Sequence, residues 1–242
     1  MKFAIPSFQR PQQLKDQTIS YLASQHVDPK DIYIFVRSDD DKLNEYLELR
    51  NEDVNVEVSV GVFGIGKTHN YITEYLDEDD FIIEIDDDLI CLKDKEKNDV
   101  DLLEVINEMK EIMDNKKINY GGLYQCDNNM FMSKCEHYTY DLRYMLGLFR
   151  LRRIKKDIIL ETNYAEDMEN CLLHFKRDGM ILKNNWLCGK TKNYADGGCC
   201  ADGRNLETEK KDKEYLHKKF PQYTRLFTRK NGHTDLRLRE YK

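Results

Sequence analysis

Three consecutive carboxylates follow a short apolar run near residue 85. Phe81–Ile85 is apolar at four of its five positions, and Asp86, Asp87 and Asp88 come directly after it. Aromatic and β-branched side chains favour a buried strand, so the carboxylates would stand at the strand's carboxyl end, where open α/β sheets bind ligands. Because side chains alternate along a strand, we expect Asp86 and Asp88 to face the same way and Asp87 the other.

Two carboxylates that face the same way repel each other as anions, and each raises the pKa of the other. A divalent cation removes that repulsion. Mg²⁺ and Mn²⁺ prefer oxygen ligands and often keep phosphate oxygens in their coordination shell. The sequence therefore predicts that Asp86 and Asp88 hold Mg²⁺ or Mn²⁺ beside a phosphorylated ligand; an acidic turn that caps an edge strand is the alternative.

The composition sets limits on the class of protein. The chain has 242 residues, 40% of them hydrophobic, and its net charge of −7 argues against coating nucleic acid by bulk electrostatics. No stretch approaches the ~18 apolar residues of a membrane span, and the N-terminus lacks the apolar region of a signal peptide. Seven cysteines at irregular spacing, with no C-x₂-C pair, indicate reduced thiols. We therefore expect a cytoplasmic protein without membrane contact.

Strand and helix patterns alternate through the first half of the chain. Strands are predicted at 2–6, 31–36, 54–60 and 81–85, with helices at 12–24, 39–50 and 69–76 between them. The second half is predicted to contain helices at 100–115, 166–178 and 207–220 and strands at 120–125, 144–150 and 180–186. This order predicts an α/β fold whose mixed, mainly parallel sheet is flanked by helices. No long linker interrupts it, so we expect one domain over 1–242, with a nucleotide-binding half (about 1–95) and a substrate-binding half (about 96–242).

Gly61–Thr68 fits the phosphate-loop pattern G-x₄-G-K-[ST], follows a predicted strand and opens a predicted helix. A P-loop kinase or NTPase, in which Lys67 would meet the phosphates of ATP, is therefore an alternative. Two features oppose it. The acidic strand follows too soon for a typical Walker-B strand, and a complete β-α-β unit lies upstream. A glycine-rich loop at a helix N-terminus can also bind a diphosphate in other folds.

The order of these motifs resembles the GT-A glycosyltransferases, nucleotide-sugar enzymes with an Asp-x-Asp metal site. The matching pieces are IPSFQRP and FVRS at the ends of the first two strands, GIGKTHN before a helix, IDDD, and Ala165-Glu166-Asp167. Within that fold the chain is similar to the phage and large-virus TET-associated glycosyltransferases, which transfer sugar to hydroxymethylated bases in DNA. That similarity includes 127–132 (DNNMFM), 140–144 (YDLRY) and 197–204.

The resemblance implies a role for each motif. Asp86 and Asp88 would hold Mn²⁺ or Mg²⁺ on the diphosphate of the donor, and His233 is a candidate third ligand. Asp167 would be the general base of an inverting transfer, with Glu166 beside it; alternatively, both acids favour a helix N-terminus electrostatically. The expected donor contacts are Pro6, Ser7, Arg10, Arg37, Gly66, Lys67, Asn70, Asp87, Gly197, Gly198 and Arg204.

The expected function is a metal-dependent hexosyl- or pentosyltransferase that moves a sugar from a nucleoside diphosphate, UDP favoured, to a hydroxyl group. The favoured acceptor is a 5-hydroxymethylated pyrimidine, such as hydroxymethylcytosine, in viral or bacteriophage DNA. The basic runs Arg150–Lys156 and Lys210–Lys219 could meet DNA phosphates, or they are solvated faces. The alternatives are a GT-A enzyme that acts on a glycan or protein, the P-loop enzyme, and a nucleotide-sugar-binding module without turnover.

Overall fold

Parallel strands at the start of the chain organise a larger mixed sheet. The computed structural model describes residues 1–62, 64–191, 198 and 203–240. Within them, nine strands form one sheet in the order β3-β2-β1-β4-β8-β6-β9-β5, with β7 paired to β9, and β10 and β11 form a separate hairpin. The strands are β1 (Lys2–Ser7), β2 (Ile32–Arg37), β3 (Asn55–Ser59), β4 (Phe81–Ile85), β5 (Leu89–Asp94), β6 (Tyr120–Tyr124), β7 (Tyr138–Thr139), β8 (Phe149–Arg153), β9 (Leu182–Thr191), β10 (Thr224–Thr228) and β11 (Thr234–Leu238).

The predicted mixed, mainly parallel sheet is confirmed. β1 runs parallel to β2 and β4, and β2 runs parallel to β3. β8 is antiparallel to both β4 and β6, so β6 and its parallel partner β9 run in the direction of the first four strands. β5 and β7 are antiparallel to β9. The chain is therefore a single α/β domain.

Helices cover both faces of the sheet. They are α1 (Pro11–Leu14) and α2 (Ser20–Ser24), joined by the π-helical Lys15–Ile19, then α3 (Leu43–Glu48), α4 (Ile65–Tyr75), α5 (Leu102–Lys116), α6 (Asn129–Met132), α7 (Glu166–Asp178) and α8 (Leu206–Lys219). Leu22 and Met109 share the largest core with Ile83 and Ile85 of β4, whereas Ile72 of α4 packs with Ile82 in another core. α7 and α8 meet the hairpin in a third core.

The main local difference from the sequence prediction lies in β8. The sequence predicts a strand at 144–150, but the strand begins at Phe149 and carries the basic run into the sheet. Arg150 and Arg152 are buried, and Glu84 of β4 pairs in register with Arg150. The interpretation of Arg150–Lys156 as a DNA-facing surface is therefore wrong for these two arginines, because alternation along the strand turns both toward the buried Glu84.

Other elements differ from the prediction in position or were not predicted. α4 begins at Ile65, four residues before the predicted start, and β5 and the β10–β11 hairpin have no predicted counterpart. No helix in the described part of the chain is both long enough and apolar enough to cross a lipid bilayer.

Candidate active site

The carboxyl ends of β1, β2 and β4 meet the start of α7 at one cavity, which we call the strand-end cavity. Because these three strands are parallel, their carboxyl ends lie at the same edge of the sheet. The cavity is lined by Pro6, Ser7, Phe8, Arg10, Arg37, Gly64, Ile65, Thr68, His69, Asp86, Asp87, Asp88, Tyr144, Leu146, Arg150, Glu166, Asp167, Gly198 and Arg204.

The turn that carries the three aspartates is fixed through its main chain. Asp86 N donates a hydrogen bond to the carbonyl of Leu148 at 3.1 Å. From the other side, Thr18 Oγ1 donates to the carbonyl of Asp86 at 2.9 Å and accepts from Leu89 N at 3.0 Å. The carboxylates are thus presented on a backbone that is anchored to two neighbouring elements.

Asp87 connects this turn to the loop after β1. Ser7 Oγ donates to its Oδ2 at 2.6 Å, and Nη1 of Arg10 lies 3.3 Å from its Oδ1. The same Nη1 lies 3.8 Å from Oδ2 of Asp88. Tyr46 supports the arrangement, because its hydroxyl lies 2.7 Å from Ser7 Oγ and accepts from Arg10 N at 2.9 Å. Asp87 therefore organises the loop that carries Arg10.

The carboxyl groups of Asp86 and Asp88 are suited to bind a divalent cation. Burial and the charge of Asp88 raise the pKa of Asp86 to about 8, and burial also raises the pKa of Asp88. A cation would relieve this cost, and Mg²⁺ or Mn²⁺ is commonly held by one or two carboxylates together with substrate phosphates. Among the described residues no group of three His, Cys, Asp or Glu side chains could hold a metal by itself.

Glu166 and Asp167 stand in the first turn of α7, where the helix dipole favours negative charge. Burial and the neighbouring charge of Asp167 raise the pKa of Glu166 well above its usual range. Asp167 accepts a hydrogen bond from the hydroxyl of Tyr144 at 3.3 Å, and its Oδ1 lies 3.8 Å from Nη1 of Arg150. The pair therefore offers one acid whose neutral form is favoured by burial and a second acid beside the buried Arg150 cation.

A buried polar network lies directly behind the cavity. Glu84 Oε1 lies 2.5 Å from Nδ1 of His69, and Glu84 Oε2 accepts from Nε of Arg152 at 2.8 Å. Nη2 of Arg150 lies 3.1 Å from Nε2 of His69. An arginine can only donate, so Nε2 accepts and the ring proton sits on Nδ1, where it donates to Glu84. Burial lowers the pKa of His69, consistent with this neutral tautomer.

Sequence reasoning did not assign Tyr144, His69 or Arg150 to the site. One signal was present: Glu84 interrupts an otherwise apolar strand, and a buried carboxylate requires a cationic or donating partner. The identity of that partner depends on strand order, which places β8 beside β4.

Most of the predicted site residues lie together. Those that line the strand-end cavity are Pro6, Ser7, Arg10, Arg37, Asp86, Asp87, Asp88, Glu166, Asp167, Gly198 and Arg204. Gly198 has φ of +61°, and a Cβ there would lie 2.6 Å from Cζ of Arg10, so its lack of a side chain permits this approach. Gly197 lies outside the described residues.

Four predicted residues do not line this cavity. A Cβ at Gly66 would lie 1.9 Å from the carbonyl oxygen of Thr162, so this glycine allows α4 to pack on the segment before α7. Asn70 uses its amide to bond both main-chain groups of Leu160. Lys67 is exposed. His233 is exposed in the turn between β10 and β11 and lines a different cavity.

The positions of Lys67 and Thr68 argue against the P-loop alternative. Lys67 does not line the strand-end cavity, and the hydroxyl of Thr68 donates to the carbonyl of Gly64 at 3.2 Å. A P-loop needs the lysine on the phosphates and the hydroxyl on Mg²⁺. In its described residues, 61–62 and 64–68, the motif has the sequence of a P-loop without this arrangement of the lysine and hydroxyl side chains.

A second cavity of about 780 Å³ adjoins the first, and we call it the hairpin cavity. It lies between the start of α7, α8 and the β10–β11 hairpin. Tyr144, Glu166, Asp167 and Arg204 line both cavities. The two acids therefore stand where the cavities meet.

No family model matches this sequence, and no curated protein matches it by sequence. Solved structures share its fold. TarS 1–349 from S. aureus in complex with UDP-GlcNAc aligns with TM-score 0.59 at 16% identity, over 91% of this chain and 66% of that chain. Glucosyl-3-phosphoglycerate synthase from Mycobacterium tuberculosis, in complex with Mn²⁺, UDP and glucosyl-3-phosphoglycerate, aligns with TM-score 0.57 at 10% identity, over 100% and 87% of the chains.

The chain thus has the GT-A fold of these glycosyltransferases. It spans 58% of the TarS 1–349 chain in another structure and 45% of the longer TarS chain.

Proposed function

We propose that the protein is a metal-dependent glycosyltransferase that moves a sugar from a UDP donor to a hydroxyl group. The observation that carries the proposal is the meeting of two acidic groups in one cavity of a GT-A fold. Asp86 and Asp88 come from the end of β4, and Glu166 and Asp167 come from the start of α7. The ligands bound in the structural neighbours, UDP with Mn²⁺ in one and UDP-GlcNAc in the other, support the choice of donor and metal.

In this proposal the strand-end cavity holds the donor. Asp86 and Asp88 would hold Mn²⁺ or Mg²⁺, which when bound stabilises the negative charge on the departing nucleoside diphosphate. Arg10 lies beside Asp87 and Asp88 and can meet the same phosphates. Arg37, whose guanidinium lies 4.2 Å from the centre of the Phe8 ring, forms a flat surface on which a nucleobase can stack. The first half of the chain, about 1–95, supplies these groups.

Asp167 is proposed as the general base of an inverting transfer. It is the carboxylate beside the Arg150 cation, and it stands where the strand-end and hairpin cavities meet. A base in this place can take the proton of a hydroxyl that enters from the hairpin cavity. The second half of the chain, about 96–242, would then bind the acceptor.

The acceptor that we propose is a 5-hydroxymethylated pyrimidine in DNA. This choice rests on the sequence resemblance to viral and phage enzymes. A DNA strand would approach through the hairpin cavity, whose lining includes Lys210, Arg229 and Arg237 and the exposed ring of Phe227. A glycan or protein hydroxyl is the alternative acceptor for the same two cavities. Such an enzyme would act in the cytoplasm of the host cell.

A donor and acceptor panel tests the proposal. UDP-glucose, UDP-N-acetylglucosamine and ATP are each incubated with the protein and Mn²⁺ or Mg²⁺, in the presence of hydroxymethylated DNA, plain DNA or an oligosaccharide. We expect release of UDP, no hydrolysis of ATP, and a mass increase of one hexose on the hydroxymethylated nucleoside. Binding of a UDP-sugar without turnover on any acceptor would indicate a binding module instead.

A further inference from the structure

Two buried polar atoms of residues that line the strand-end cavity form an ion pair but lack a hydrogen-bond partner among the described residues. Within the described part of the chain, neither Nη1 of Arg150 nor Oδ1 of Asp167 has a hydrogen-bond partner. The two atoms lie 3.8 Å apart, too far for a hydrogen bond between them but close enough for one oxygen to reach both. Since a buried donor or acceptor without a partner costs free energy, this pair is suited to a ligand atom.

The remaining polar atoms of both side chains are already engaged. Nε of Arg150 donates to the carbonyl of Gly147 at 3.2 Å, and Nη2 donates to Nε2 of His69 at 3.1 Å. Oδ2 of Asp167 accepts from the hydroxyl of Tyr144 at 3.3 Å. Each side chain is therefore held by its other atoms, and one donor and one acceptor of two cavity-lining residues are left without a hydrogen bond to the residues that the structure describes.

The absence of a side chain at Gly147 allows Arg150 and Asp167 to take these positions. A Cβ at this position would lie 2.4 Å from Oδ1 of Asp167 and 2.7 Å from Nη2 of Arg150. Any other residue would push the two side chains away from their present positions.

We propose that Arg150 and Asp167 together bind the reacting hydroxyl of the acceptor, which makes Arg150 an acceptor-binding residue. This inference rests on the proposed function. The hydroxyl oxygen accepts a hydrogen bond from Nη1 of Arg150, and its proton is donated to Oδ1 of Asp167. A hydroxyl is at once a donor and an acceptor, so it matches this pair, whereas a phosphate oxygen would be repelled by the carboxylate.

The transfer step follows from that placement. The hydroxyl proton moves to Oδ1 of Asp167 as the hydroxyl oxygen forms a bond to the anomeric carbon of the UDP-sugar. The bond from that carbon to the diphosphate oxygen breaks, and its electron pair leaves with UDP. Arg150 holds the oxygen by a hydrogen bond from a fixed, charged donor, so the lone pair that attacks is oriented before the bond forms.

The test compares Arg150→Met with a matched variant, Arg152→Met. Arg152 is also buried on β8, but it bonds Glu84 and Thr73 and does not line either cavity. The native enzyme and both variants are assayed with the UDP-sugar and acceptor identified by the panel. Acceptor kcat/KM, donor affinity by calorimetry and melting temperature are measured for each.

We expect Arg150→Met to lower kcat/KM for the acceptor about 10- to 100-fold, the effect of losing a hydrogen bond from a charged donor, with donor affinity unchanged. Arg152→Met should lower the melting temperature and leave the kinetics of the folded fraction near native. Added methylguanidine should restore part of the transfer in Arg150→Ala and none in Asp167→Asn.

Equal kinetic losses in Arg150→Met and Arg152→Met would overturn the inference, since both effects would then be structural. A loss of donor affinity with normal acceptor KM would also overturn it, because the two atoms would then meet the donor sugar. If Arg150→Met does not fold, Arg150→Lys replaces it, and native acceptor kcat/KM in Arg150→Lys would contradict the proposal. A native enzyme that turns over no UDP-sugar refutes the proposed function itself.

Discussion

The side-chain amide of Asn70 holds the main chain of Leu160 by two hydrogen bonds. Nδ2 donates to the carbonyl oxygen and Oδ1 accepts from the main-chain N–H, each at 2.8 Å. The bonds join α4 to the segment that leads into α7, which carries Glu166 and Asp167. Both polar atoms of the Asn70 amide are therefore engaged with the segment that leads to the two acids.

Replacing Asn70 with Ala would leave both main-chain groups of Leu160 without this partner. We predict a loss of about 1–3 kcal/mol in the free energy of unfolding, with UDP affinity in Mn²⁺ unchanged. Urea denaturation and calorimetry measure the two quantities. Native stability combined with weakened UDP binding would instead support the nucleotide contact predicted from the sequence.

Lys67 provides the matched variant on the same helix. It is exposed and lies outside the strand-end cavity. A surface substitution typically changes the free energy of unfolding by no more than ~0.5 kcal/mol, and we expect a change of this size in Lys67→Ala. Its affinity for UDP should stay within about twofold of the native value. ATP hydrolysis by the native protein that disappears in Lys67→Ala would show that the P-loop interpretation was correct after all.

The parts of the fold that the sequence predicted are those with a strong local pattern. The strand formed by the apolar run of β4 and the helix α7 (Glu166–Asp178) were placed correctly. The clustering of Ser7, Arg10 and Asp86–Asp88 could also be predicted, because carboxyl ends of parallel strands share one edge.

What could not be predicted depends on partners far away in the chain. Arg150 belongs to a basic run whose composition is typical of an exposed surface. Only the pairing of β8 with β4 places it against Glu84 and His69. In the same way, Asn70 bonds Leu160, which lies 90 positions later in the chain. The position of His233 depends on how the β10–β11 hairpin packs on α8.

Stability should fall in acid because of His174. Burial lowers the pKa of this side chain to about 3, compared with about 6.5 in an unfolded chain. Below pH ~6.5 the unfolded state binds a proton that the native state does not, so this contribution is complete above that pH. As the pH falls toward 3, the free energy of unfolding decreases through this residue by up to about 1.4 kcal/mol per pH unit.

His174→Phe should reduce that slope, since the variant cannot take up the proton and can keep the stacking on Tyr120, whose ring centre lies 4.6 Å away. His69, whose pKa burial also lowers, remains in the variant and accounts for the residual slope. Urea unfolding between pH 5 and 8 gives the comparison. Equal slopes in the native protein and the variant would refute the assignment to His174.

Removing the metal should abolish transfer. A divalent ion supplies several kcal/mol of charge stabilisation, so excess chelator should lower the rate at least about 100-fold, and added Mn²⁺ should restore it. Asp88→Asn should shift the Mn²⁺ concentration needed for half-maximal rate upward without loss of fold, judged by circular dichroism. Undiminished transfer in chelator would exclude Asp86 and Asp88 as metal ligands of this reaction.

The two acids of α7 should respond differently to neutral replacement. Removing a general base typically costs ~10²–10⁴-fold in rate, so Asp167→Asn should bind UDP and Mn²⁺ like the native protein and transfer almost nothing. Burial and the charge of Asp167 raise the pKa of Glu166 well above its usual range, which favours its neutral form, and Gln mimics that form. Glu166→Gln should therefore retain most of the activity.

Calorimetry of UDP binding beside the transfer rate separates the two variants. Near-native transfer in Asp167→Asn would mean that the reaction retains configuration or uses another carboxylate, and equal losses in both variants would mean that the proton is taken by the pair.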